Sequence, residues 1–563
     1  MYICNVMTQK LKIYCLNLEK YIEVEGGETL LSVANRISEH LPFSPICARV
    51  NNRNETLSFQ LYKPKMVEFL PITHPAGERA YIRSLCMVLY RAVSRVLSGV
   101  KLSIEHSVSR GYYCRLLGSN IECTDELIEK ISAEMRSIVK RDLPIERLED
   151  LTSDIIPIFE RQQLDDKVQL LRSSHDLYTV YYRLDGLYDI YYSTLATSTG
   201  ILRVWELRKF KDGFLLVGFD REHPARTPKH IDQEKMYKAF TDYVAFNDIV
   251  GVSNVGELNR AIVNGRSADL VNVAEALHEK SVARISDEIT RRYHEGGARI
   301  VLISGPSSSG KTTTTKRLAI QLMTNLLCPQ LISLDDYFLN RENTPRDVSG
   351  DYDYESLYAL DLKQFNRDLN AILNGEEVEI PTYDFTTGSR EYRGHKVKMC
   401  EGSILLIEGI HGLNPELTAD IEERMKFRLY VSALTTITID DHNWVPTTDN
   451  RLLRRCIRDF NYRGTDPVET IRRWPSVRRG EERWIFPYQE NADAMFNSSL
   501  LYELSVMKQF ALPVLSRVPR HVREYSESYR LLKFLNYFDS IDLKTIPSTS
   551  LLREFLGGSS FKY

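Results

Sequence analysis

Residues 300–324 constrain this chain more than any other stretch. Ile300-Val301-Leu302-Ile303 is a short apolar strand that runs into Gly305-Pro306-Ser307-Ser308-Ser309-Gly310-Lys311-Thr312. Thr313–Thr324 follows as a helix, with Leu318, Leu322 and Met323 on its apolar face. Strand, GxxxxGK[ST] loop and helix in that order build a phosphate cradle. The glycines let backbone N–H groups turn inward, and the helix N-terminus favours an anion. The expected nucleotide-binding residues are Gly305, Ser307, Ser308, Ser309, Gly310, Lys311, Thr312 and Thr313. Lys311 is placed to reach the β/γ-phosphates, and the Thr312 hydroxyl to ligate Mg²⁺.

From Arg299 onward, apolar strands alternate with helical segments, the pattern of a parallel sheet covered by helices. Leu331–Leu334 ends in Asp335-Asp336, one crossover after the loop. A carboxylate there faces the γ-phosphate position, where Asp335 takes the proton of a substrate hydroxyl or, alternatively, caps a helix or serves Mg²⁺. Ser403–Ile407 ends in Glu408, a second strand-end acid suited to Mg²⁺; a surface acid is the plainer alternative. Arg451–Arg483 holds ten arginines against five acids, and Arg451, Arg454, Arg455 and Arg458 share one helix face. Guanidinium forks suit a transferring phosphoryl group, so a mobile lid is expected; a solvated basic face or an RNA strip is the alternative.

Composition narrows the class. The chain has 563 residues, 43% of them hydrophobic, and a net charge of −3 from 73 basic and 76 acidic side chains. At about 150 residues per domain, three or four domains are expected. A global polyanion binder is disfavoured by that charge, although a local basic patch remains open. Nine scattered cysteines without a CxxC pair read as reduced thiols of a cytoplasmic protein. No apolar run approaches the roughly 18 residues of a membrane span, and no apolar signal core stands at the N-terminus. Membrane, secreted, fibrous and disordered classes are set aside.

Before the loop, residues 10–70 alternate short strands around a helix at Thr29–His40, the order of a β-grasp module. Residues 75–250 mix amphipathic helices (Ala80–Leu97, Thr124–Lys140) with strands in Val180–Tyr192 and Leu202–Phe219. Ser253–His294 is mainly helical and stops at Gly296-Gly297. Glu376–Met399 reads as a two-stranded projection around Thr386–Ser389, a suitable wall for an acceptor pocket. Four segments result: 1–72, 73–245, a helical connector 246–297, and 298–563.

About residues 298–540 resemble the uridine kinase family, with its relatives phosphoribulokinase and bacterial pantothenate kinase. The resemblance rests on Gly305–Thr312, Ser333-Leu334-Asp335, Asp351-Tyr352-Asp353, Pro381-Thr382-Tyr383-Asp384-Phe385 through Arg390, Ile407-Glu408-Gly409, and Asn450–Asp459. It implies an α/β P-loop kinase that phosphorylates a small alcohol from ATP and Mg²⁺, foremost the 5′-hydroxyl of a ribonucleoside such as uridine. Asp335 is then the base, Lys311, Thr312 and Glu408 serve ATP·Mg²⁺, and Asp353, Tyr383 and Arg390 contact the acceptor. Family members that read a pyrimidine place a His shortly after the YDF triplet; here Gly388 holds that place. A sugar, polyol or pantothenate-like acceptor therefore stays open. Tyr352, Tyr354, Tyr358 and Trp444 are candidates to stack on a base, or core residues.

The front half resembles that of threonyl-tRNA synthetase. Residues 10–70 are similar to its TGS module and 75–240 to its second additional domain, with Asp142–Arg147 and Ser198-Thr199-Gly200 as shared strings. That domain edits with an HxxxH and a later CxxxH; here the matching positions are Arg83, Met87, Tyr191 and Leu195. Without such ligands, metal chemistry is not expected. The resemblance implies an α+β, editing-type domain without its chemistry, which binds a nucleotide, RNA or a partner, or scaffolds the kinase. The opposing reading is a tRNA- or ribosome-associated nucleotide sensor. A homo-oligomer is compatible with either. His106 and His175 are singletons, read as structural.

Overall fold

The computed structural model describes residues 10–118, 121–347 and 350–563. Cys4 lies outside them; the other eight cysteines are free thiols, exposed only at Cys328 and Cys400. Among the described residues, no helix is long and apolar enough to cross a membrane.

The C-terminal half is built on five parallel strands. Their spatial order is Cys328–Ser333, Ser403–Glu408, Ile300–Ser304, Lys426–Ser432, Ala494–Asn497. The loop strand is central, so its side chains feed two cores by strict alternation. Val301 and Ile303 pack with Leu318 and Leu322 of the loop helix Lys311–Thr324. Ile300 and Leu302 pack on the opposite face with Phe365, Leu369 and Ile372 of the helix Leu362–Leu373. Met323, expected on the apolar face, is 60% exposed. Leu318 and Leu322 stack four residues apart, whereas Met323 is turned about 100° from Leu322.

Residues 10–70 form a mixed sheet in the order Lys20–Glu25, Lys10–Cys15, Met66–Leu70, Cys47–Val50, Arg53–Thr56. The helix Leu30–Arg36 starts at Thr29, whose hydroxyl accepts the Ser32 N–H at 3.2 Å. It ends four residues earlier than expected, with Ser38–His40 as a separate 3₁₀ turn. Next, the helix Pro75–Val96 departs from the amphipathic reading, because every residue from Ala80 to Tyr90 is buried. It runs through the middle of its domain, sharing a core with sheet residues Ile104, Phe214 and Tyr182. The strings Asp142–Arg147 and Ser198–Gly200 lie side by side. The Thr199 N–H donates to Leu143 O at 2.9 Å, and the Gly200 N–H to Asp142 Oδ1 at 2.7 Å.

The two halves meet where a hairpin of the C-terminal half, Thr438–Asp440 paired with Asn443–Trp444, packs into the front half. Lys167, with no exposed surface, bridges Asp440 at 2.6 Å and Asp189 at 2.9 Å. His442 Nδ1 lies 2.8 Å from Asp189, and the Asn443 amide donates to Ile190 O at 2.8 Å. Arg83 donates to the carbonyls of His442 and Trp444, both at 3.3 Å, with its guanidinium 3.5 Å from the Trp444 ring centroid. Trp444, a stacking candidate from the sequence, is thus committed to this junction. Arg83, Met87, Tyr191 and Leu195 are all buried around it.

Such a network is costly to break from one side. Lys167→Met should lower unfolding free energy by about 3–5 kcal/mol, read by denaturant titration, because two buried carboxylates lose their cation. Asp441 gives a pH test. Burial, then the carboxylate of Asp166 and more weakly that of Asp440, hold its carboxyl above the usual range, against the opposing pull of His442 and Lys167. The folded state keeps this proton where the unfolded chain loses it, so stability falls as pH rises from about 4 toward about 7. Asp441→Asn should melt higher than the parent at about pH 8 and match it at about pH 4.

Candidate active site

The phosphate loop is fixed by close approach. A Cβ on Gly305 would lie 2.0 Å from Val431 O, so only glycine fits there. Gly310 starts the loop helix with φ +84°, a left-handed conformation that glycine adopts without strain. The loop's carbonyls are taken from behind. Arg451 Nε donates to Ser307 O at 2.9 Å, Arg454 Nη1 to Ser308 O at 3.4 Å, and the Ser498 hydroxyl to Ser309 O. Among the described residues, the hydroxyls of Ser308 and Ser309 are buried and without a hydrogen-bond partner, so the loop offers them to an anion beside its helix N-terminus.

The four arginines do not act as one exposed lid. Their helix, Thr447–Tyr462, is seated in the core by Leu452, Leu453, Cys456 and Ile457. Arg451 and Arg454 are 1% and 0% exposed, paired with Glu481 and Glu503. They are loop anchors rather than free phosphoryl ligands, because loop carbonyls and the buried Glu481 and Glu503 take up their guanidinium groups. Arg455 remains at the loop's edge, donating to Ser307 Oγ at 3.0 Å. Among the described residues, the ion pairs of Arg458 are long, 3.9 Å to Asp459 and 3.8 Å to Glu554.

Lys311, Asp335 and Glu408 share one electrostatic environment. The Thr312 hydroxyl donates to both Glu408 oxygens, at 3.0 and 3.3 Å. Burial pushes the Glu408 carboxyl up to about 7, with Lys311 opposing and Asp335 and Glu554 adding to it. Burial also raises Asp335, against the pull of Lys311, Arg463 and Arg458, and lowers Lys311. Asp336 points elsewhere, accepting the Tyr383 N–H at 3.2 Å, so it secures the projecting hairpin. Among the described residues, no group of three His, Cys, Asp or Glu side chains is spaced to hold a metal unaided. The hard oxygens of Thr312, Glu408 and Asp335 fit Mg²⁺, an ion that ordinarily takes one or two carboxylates plus substrate phosphates.

Of the three residues expected to contact an acceptor, Asp353 is half-buried and its carboxyl is raised, chiefly by burial. Tyr383 packs against Phe338 and Phe385, ring centroids 5.6 and 5.1 Å away. Arg390 is already committed: it pairs with Asp361 at 3.0 Å and donates to Gln364 at 3.3 Å. Gly388 has φ +74°, and a Cβ there would meet Arg341 Nε at 2.6 Å. Arg341 has taken the space a side chain at 388 would use, and it donates to Phe385 O at 2.8 Å.

Several site residues escape a reading by motif. Glu355, two residues past Asp353, is exposed to the field of Arg455, Lys311, Asp335 and Arg451, and one of its oxygens is buried without a partner. Its Cβ fills the space opposite Gly480, where an added Cβ would lie 2.2 Å away. Glu481, Glu503, Ser498 and Glu554 carry no motif; only the demand that buried arginines find counter-ions points to the first two.

Residues 300–503 match the Phosphoribulokinase / Uridine kinase family. That span is just over a third of the chain and contains the loop, Asp335, Glu408 and the arginine helix. A uridine kinase from Deinococcus deserti is 26% identical over 197 residues, 35% of this chain and 86% of that protein. A threonine–tRNA ligase from Clostridium kluyveri is 27% identical over 182 residues, matching the N-terminal part. Here the chain spans only 28% of the relative's length. A solved structure described as "a Possible Uridine Kinase from Bacillus stearothermophilus" is similar at 18% identity, covering 36% of this chain and 89% of that one, with a TM-score of 0.25.

The close fit between Glu355 and Gly480 yields a test. Gly480→Ala should cost about 1–3 kcal/mol in chemical unfolding, because the extra methyl forces Glu355 or the helix Pro467–Trp484 aside. Glu355→Gly in the same chain, which removes the clashing Cβ, should recover part of that loss, whereas Glu355→Ala, which keeps it, should recover little.

Proposed function

We propose that the chain transfers the terminal phosphoryl group of ATP to an alcohol, foremost the 5′-hydroxyl of a ribonucleoside. One observation carries this reading: Asp335 stands in the field of Lys311 beside the phosphate loop, while its neighbour Asp336 is turned away. The family match over residues 300–503 supports a phosphotransferase of this kind. Thr312 and Glu408 would hold Mg²⁺, which when bound neutralises charge on the β- and γ-phosphates.

The chain's own groups divide the work. Loop amides and Lys311 hold the phosphates, and Arg455 and Arg458 face the charge that spreads over the transferring group. Asp335 accepts the acceptor's hydroxyl proton as its oxygen bonds to the γ-phosphorus and the bond to the leaving ADP oxygen breaks. Asp353 and Tyr383 hold the acceptor. A second reading of the acceptor is favoured by Arg341, which fills the place beside Gly388. A sugar, polyol or pantothenate-like alcohol fits a wall that lacks a pyrimidine-reading histidine. The front half, read as a TGS-like module and an editing-type domain without its histidines, serves as scaffold of a cytoplasmic enzyme.

The test is ADP formation by the purified protein with ATP, Mg²⁺ and a panel of nucleosides, sugars and polyols. Turnover should require one of these alcohols. Asp335→Asn should reduce it by roughly 10²–10⁴-fold, with ATP binding kept. A loss under tenfold removes the base assignment, and ADP formation independent of every alcohol removes the kinase reading.

A further inference from the structure

The first turn of the loop helix is already in contact with an anion from the chain itself. Glu554, on the short helix Arg553–Leu556, is 8% exposed. Its Oε2 accepts the Thr313 N–H at 3.3 Å and the Thr313 hydroxyl at 2.6 Å. The Tyr563 hydroxyl lies 2.9 Å from the same Thr313 oxygen, and Lys316 sits 5.6 Å from the Tyr563 ring centroid. Leu551 covers Gly310 so closely that a Cβ there would lie 2.7 Å from Leu551 Cδ2. The remaining Glu554 oxygen is 3.8 Å from Arg458, and the charge of Glu554 reaches Lys311 and Glu408.

Amides at the start of a helix after a glycine-rich loop are what a nucleotide's phosphates use. A carboxylate hydrogen-bonded there satisfies the helix N-terminus in the nucleotide-free protein, and it repels an incoming phosphate. An ordinary helix cap comes from the residue just before the helix. Glu554 is 241 residues away from Thr313, so it holds this place only while its own segment stays docked.

We propose that segment 547–563 is an internal strap that competes with nucleotide: Glu554 occupies a phosphate-cradle amide, and nucleotide binds by displacing it. This rests on the donor reading above and adds a control on the same site. It makes nucleotide affinity a property of the strap as well as of the loop.

The full-length protein and its Glu554→Gln variant are titrated with Mg²⁺ and an ATP analogue carrying a non-hydrolysable β,γ-bridge. The variant keeps the side-chain shape without the charge, and should bind about tenfold tighter. In the unaltered protein the analogue should accelerate tryptic cleavage after Arg553, because displacement frees the segment. Equal or weaker binding by Glu554→Gln overturns the proposal, as does protection of Arg553 by the analogue, which would make the segment a wall of the site. If the variant does not fold, the proteolysis of the unaltered protein decides alone. Binding by neither protein removes the donor reading and the strap with it, whereas equal binding by both removes the strap only.

Discussion

The phosphate loop keeps its shape because its carbonyls are tied down from behind. Arg451 and Arg454 are wholly buried, and each donates to one loop carbonyl while pairing with a buried glutamate from a different helix. A buried ion pair gains little net stability, since desolvation offsets most of the attraction. What it supplies here is register. Glu481 belongs to the helix Pro467–Trp484 and Glu503 to the helix Glu503–Leu515, so both helices are locked to the loop through the arginines. Moving any of these parts alone would strand a charge in a low-dielectric interior.

The same helix connects the loop to the front half. The hairpin held by Arg83 and Lys167 ends at Trp444, and the arginine helix begins at Thr447. Beside that connection, Arg530 pairs with Asp449 at 2.6 Å and with Glu527, which also receives Arg79 of the second domain at 3.0 Å. One helix thus joins the junction to the loop.

The cleft collects charge of both signs. Burial raises Asp335, Glu355 and Glu408 and lowers Lys311 and Arg458, so neither sign is comfortable without the other. Entry of a phosphate chain with its metal would redistribute these pairings.

Local chemistry was legible in the sequence wherever neighbours along the chain do the work. The loop, its strand and helix, the Thr29 and Thr124 caps, and the strand-end acids Asp335 and Glu408 are all short-range patterns. Burial of the central strand on both faces follows from its uninterrupted apolar run. The sequence does not contain, in readable form, which of several equivalent arginines is buried, because helical spacing groups four without saying which side meets the core. Nor does it reveal that Glu554 would meet Thr313, that Gly480 makes room for Glu355, or that a hairpin of the C-terminal half packs into the front half. Those contacts join residues from roughly 120 to 360 positions apart, and only the packing of whole elements brings them within reach.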